Sequence, residues 1–85
     1  MAKTVDDQTL DRAVKTLFDD YVFSVGVSNL AVQRDYKLKP SESFDDECFD
    51  VTADESAPEN YRQSLPSEFE GYKVFYQFQP RPVPY

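Results

Sequence analysis

The segment Tyr72-Lys73-Val74-Phe75-Tyr76-Gln77-Phe78 constrains the fold of this chain more than any other. Tyr72, Val74, Tyr76 and Phe78 fall on one side of an extended backbone, and Lys73, Phe75 and Gln77 on the other. Side chains alternate across a strand, so this pattern predicts a β-strand with one strongly apolar face. Aromatic and β-branched residues suit that pleated surface. Such a strand needs neighbours in a sheet and a layer to cover its apolar face.

The covering layer is visible near the N-terminus. Leu10, Ala13, Val14, Leu17, Phe18 and Tyr21 recur at helical spacing, while Asp11, Arg12, Lys15, Thr16, Asp19 and Asp20 fall mostly opposite. The pattern predicts a helix over residues 6–20. Thr4 and Asp7 are placed to form a capping box, and Asp6 and Asp7 suit the positive end of the helix dipole. The polar face is acidic, which argues for core packing and against a membrane-surface helix.

Two further strands are predicted. Phe23, Val25 and Val27 alternate with Ser24, Gly26 and Ser28, and the phase changes after Asn29, which predicts a bulge or tight turn near Ser28-Asn29. Gly26 within this strand marks a distortion or a close backbone approach. Phe49, Val51 and Ala53 alternate with Cys48, Asp50 and Thr52, which predicts a strand with Phe49, Val51 and Ala53 facing the core. Asp46, Glu47, Asp50, Asp54 and Glu55 are then expected along a solvated edge. Pro40 breaks the chain before this strand and Ser56-Ala57-Pro58-Glu59 after it. Residues 60–71 have room for one helical turn. The expected fold class is α+β, with one N-terminal helix packed on a small, mainly antiparallel sheet of three to four strands. Residues 1–79 form a single domain, and 80–85 form a Pro-rich extended tail, because proline cannot continue a ladder.

Composition decides how such a domain is held together. A chain of 85 residues buries a modest fraction of its surface. Its single cysteine, Cys48, excludes an internal disulfide, and it has no histidine. The seven phenylalanines and six tyrosines compensate, since each can bury a large area. One unpaired cysteine and an N-terminal stretch without an apolar signal core predict a cytoplasmic protein. No segment has the run of about 18 apolar residues that a membrane span needs, so no membrane association is expected.

The same composition excludes most catalysis. Without histidine there is no ordinary base beside a nucleophile, and neither a GxSxG elbow nor a Ser-x-x-Lys pair occurs. Cys48 lies among acids, which raise a thiol pKa. Asp45, Asp46, Glu47 and Asp50 offer the oxygen ligands that Ca²⁺ or Mg²⁺ takes, but the EF-hand spacing and its turn glycine are missing. No enzymatic activity, cofactor or specific metal site is expected.

The net charge of −7 is unevenly placed. Residues 40–61 carry eight acids and no base, whereas the flanking segments are close to neutral. Direct binding to nucleic acid is disfavoured, because that partner needs a basic face. A protein with a basic surface is the expected partner, and a homo-oligomer is compatible with the same features. The expected contact residues are Asp45, Asp46, Glu47, Asp50, Asp54 and Glu55, with Arg81 and Tyr85 on the Pro-rich tail. The leading functional expectation is thus a small protein-binding regulator, adaptor or assembly factor. The alternative is an acidic inhibitor of phage type, imitating nucleic acid in the groove of a DNA- or RNA-binding protein.

Val25-Gly26-Val27, followed by Leu65-Pro66 and Gly71-Tyr72-Lys73-Val74, resembles a small helix-plus-strands segment found beside trypsin-like peptidase domains in bacteria. That pattern runs VVGVGxG, a strand, then LPxxxxGVxV, and the likeness covers about fifty residues. Ser28 stands where the second glycine would be, and no catalytic triad is present. The resemblance implies a fold and carries no activity or site residues.

Overall fold

The computed structural model describes residues 3–33 and 36–81. Helix α1 (Asp7–Leu17) leads into strand β1 (Val22–Asn29) and a 3-10 turn (Leu30–Val32). Strand β2 (Glu47–Asp54), a short helix α2 (Glu59–Gln63), strand β3 (Glu68–Phe69) and strand β4 (Tyr72–Gln79) follow. The four strands form one sheet in the order β1-β2-β4-β3. β1 pairs antiparallel with β2, and β3 antiparallel with β4. The inner pair, β2 with β4, is parallel, with Phe49 beside Val74 and Val51 beside Tyr76. The fold is α+β as expected.

One sheet face forms the core. Phe49, Val51 and Ala53 of β2 are completely buried there, with Val22 of β1, Val74 of β4, and Ala13 and Leu17 of α1. Phe49 packs edge-on against Phe69 at 5.8 Å and Tyr72 at 5.7 Å between ring centroids. The crossover between the parallel strands passes over the same face: Tyr76 O–H donates to the Pro66 carbonyl (2.7 Å), and the Arg62 guanidinium stacks 4.2 Å from the Phe78 ring centre.

β2 is therefore an inner strand, and its acids do not line the expected solvated edge. The crossover is long enough to bring β4 alongside it in parallel, which a hairpin cannot do. Helix α1 also departs from expectation. Its N-cap is Asp6, whose carboxylate accepts from the Thr9 N–H (2.7 Å), in place of a Thr4–Asp7 box. It stops at Leu17, because Phe18 is already extended and Asp19 turns the chain by accepting from the Tyr21 N–H (2.9 Å). Phe18 consequently leaves the apolar stripe and is 48% exposed. Of the bulge or tight turn expected near Ser28-Asn29, the turn is present, with Asn29 capping it, and the bulge sits instead between Val22 and Ser24. The phase change after Asn29 is simply the end of the strand, where Leu30 enters the 3-10 turn.

The β3–β4 hairpin turns on Glu70 (φ 50°) and Gly71 (φ 84°). Two consecutive positive φ angles define the turn whose twist matches the flanking strands. Arg12 grips this turn from α1 through a two-point pair with Glu70, at 2.7 and 2.8 Å.

Two substitutions test the architecture by denaturant unfolding. Phe49→Ala is expected to cost about 3–5 kcal/mol, because it empties the centre of the core; a wild-type midpoint would refute the packing. Gly71→Ala is expected to cost about 1–2 kcal/mol for a left-handed backbone bearing a Cβ. That Cβ would also meet the Lys3 Nζ at 3.2 Å.

Candidate functional site

The acidic run does not form one surface. β2 separates its two ends by eight residues, a span of about 25 Å at strand rise. At the first end, Asp46 accepts from the Lys3 N–H (2.8 Å) and the Ser43 N–H (3.0 Å), and Glu47 accepts from the Val5 N–H (2.7 Å). The Glu47 N–H in turn donates to the Lys3 carbonyl (2.8 Å). These acids pin the N-terminal segment to the sheet, and the amide donors hold the Asp46 carboxyl below its ordinary pKa. At the far end, Asp54 accepts from the Ser56 N–H (3.0 Å) and pairs with Arg81 (2.9 Å), which likewise lowers its pKa. A carboxylate whose pKa is lowered on folding adds stability above its unfolded value and loses it as pH falls.

Arg81 is committed as well. Its guanidinium donates to the Asp20 carbonyl (2.8 Å) and lies 5.4 Å from the Phe23 ring centre. It clasps the start of the tail to β1 and β2. Tyr85, the other expected tail contact, lies outside the described residues. Asp45 and Glu55 are exposed, and among the described residues their carboxylates make no hydrogen bond.

A cleft of about 270 Å³ lies beside the first end, lined among others by Lys3, Lys39, Glu42, Asp46, Glu68 and Lys73. Its charges are mostly spoken for. Glu42 accepts from the Tyr36 hydroxyl and from the Lys39 N–H (2.9 Å), and Lys73 pairs with Glu68 at 3.3 Å. The Glu42 contact pushes the Tyr36 phenol up to about 12. The loop that carries Tyr36 also covers one end of the second sheet face. Tyr36 meets Phe75 edge-on at 5.4 Å, and Gln33 lies 3.9 Å from the Cys48 sulfur. Cys48 is completely buried, and burial, reinforced by the Asp50 charge, pushes its thiol up to about 11. It remains a protonated packing residue at neutral pH.

Asp50 differs from the other acids. It lies on the second face in mid-sheet, with Gly26 beside it on β1 and Phe75 on β4. Its Oδ1 is buried without a hydrogen-bond partner; among the described residues only Asn29 Oδ1, on the core face, shares that state. Burial raises its carboxyl pKa. A carboxylate so placed opposes folding, because its charge is partly desolvated and unpaired. The strand pattern places Asp50 opposite the core face, but only the pairing with Gly26 reveals the gap beside it.

In comparisons with known proteins, the chain matches no family, no curated protein and no solved structure.

Asp50→Asn tests this assignment. Native Asp50 keeps its proton to higher pH than unfolded Asp50, so wild-type stability falls as pH rises through that window. The variant lacks this loss. It is expected to melt above the wild type at pH 7, with the difference closing below the carboxylate range. A variant that melts lower at pH 7 would show that Asp50 already has a stabilising partner.

Proposed function

We propose that the chain is a small, non-enzymatic protein-binding regulator or adaptor that recognises a basic partner. The carrying observation is Asp50, an unpaired carboxylate held at the centre of a sheet face while its neighbours in sequence are engaged within the fold. A group that disfavours folding persists where it has other work, and activity is commonly traded against stability in this way. A cation from a partner supplies the missing charge-assisted hydrogen bond. The excess of acids over bases favours encounter with such a partner.

The engagement of Asp46, Glu47 and Asp54 within the fold breaks the acidic run as a regular row of free carboxylates, which favours this reading over the inhibitor that mimics nucleic acid. The buried Cys48 thiol fits work in a reducing compartment such as the cytoplasm. Among the described residues, no helix is long and apolar enough to cross a membrane.

Affinity purification from the source cells with wild-type and Asp50→Asn chains tests the proposal. The wild type is expected to retain a protein that the variant retains poorly, although the variant is the better folded of the two. Equal recovery by both chains would remove Asp50 from the interface. Release of the partner by added DNA would favour the mimic.

A further inference from the structure

The sheet has two edges of unequal character. β3, on one side, is two residues long. β1, on the other, spans eight residues, Val-Phe-Ser-Val-Gly-Val-Ser-Asn, with no charge and no proline. Among the described residues, apart from the bulge and the Arg81 clasp at its start, it has none of the devices that usually blunt an exposed edge. Among the described residues, no backbone beyond β2 bonds to residues 23–29.

The two sides of this edge differ in chemistry. Toward the core face stand Val25, half-buried, and Val27, 37% exposed. Toward the second face stand Ser24, Gly26 and Ser28, and behind Gly26 lies Asp50. A Cβ built on Gly26 meets nothing within 4 Å, so the space above Gly26 beside Asp50 is unfilled, and because Asp50 Oδ1 is buried, Oδ2 is the oxygen left for a cation.

We propose that an extended segment of the partner adds to the sheet as a strand beside β1, placing a lysine or arginine opposite Gly26 whose charged head reaches across to Asp50. The inference rests on the reading of the chain as a binder of a basic protein, and it names where and how that partner docks. An added strand lies about 10 Å from β2, two strand spacings, a gap that a long basic side chain spans toward a carboxylate. Backbone pairing supplies affinity, and the alternate side chains supply specificity, as in other sheet-edge recognition. The docking segment alternates apolar residues beside Val25 and Val27 with small ones flanking the base.

Two other occupants fit less well. A second copy pairing β1 with β1 would set serines and glycines against one another and leave Asp50 without a cation. The chain's own residues 82–85, Pro-Val-Pro-Tyr, bring no base, and their prolines cannot donate to a ladder.

The test uses the full chain and a synthetic peptide that alternates valine with threonine around one central lysine. A control peptide carries norleucine in place of the lysine. Titrations followed by amide NMR and hydrogen exchange are expected to shift and protect residues 24–29, with the lysine peptide binding about tenfold tighter than the control. In Asp50→Asn that preference disappears. Gly26→Val, whose Cβ meets open space, is expected to keep its melting temperature and lose the lysine peptide. Equal affinity for the two peptides, or undiminished binding by Gly26→Val, overturns the inference. Shifts confined to residues 40–46 or 54–59 overturn it too, but leave the basic-partner reading standing. If neither peptide nor any purified partner depends on Asp50, both fall. Residue 24–29 signals that move with chain concentration before peptide is added would make a second copy the occupant and likewise end the proposal.

Discussion

The fold depends on the burial of one side of β2. Phe49, Val51 and Ala53 are shielded from water by α1 on one layer and flanked by β1 and β4 within the other. A chain with no disulfide must obtain its stability from such contacts. The remaining features serve this strand. Arg12 ties the helix to the β3–β4 turn, Asp46 and Glu47 strap the N-terminal segment across the start of β2, and Arg81 closes its far end.

This arrangement gives the acidic run a divided role. A run without bases reads as one electrostatic surface, yet folding distributes it among unrelated tasks. Asp46 and Glu47 accept backbone amides, Asp54 holds a turn and an arginine, and Asp45 and Glu55 face solvent. Asp50 is set apart because the strand directs it to the second face, where among the described residues no donor meets its buried oxygen. Local charge density is therefore a poor guide to an interface here, and the hydrogen-bond state of each carboxylate is a better one.

The strands and the main helix were legible because period-2 and period-3.6 patterns are local. β2 and β4 follow their alternation almost to the residue, and the apolar side of β2 is the one the alternation specifies. What escaped was non-local. Nothing in Cys48–Asp54 reveals that β4 pairs with it in parallel, which turned an expected edge into the middle of the sheet. Phe18 and Tyr21 continue the helical spacing, but the Asp19 turn ends the helix before they join it. The same holds for the candidate site. Asp50 was legible as a polar-face acid, whereas its missing partner and its neighbour Gly26 depend on strand register. Arg81 was visible as a charged residue on the tail, but not as the clasp on Asp54 and Asp20.

The parallel pairing also bears on how the protein is made. β1 and β2 leave the ribosome first, and two strands alone are marginal in water. The sheet's inner ladder cannot form until β4, ending at Gln79, has cleared the exit tunnel. Until then the apolar side of β2 has only α1 and one neighbouring strand to cover it. A nascent chain in which β2 has emerged and β4 has not therefore leaves the β4-facing edge of β2 and the free edge of β1 open to chaperones or to aggregation.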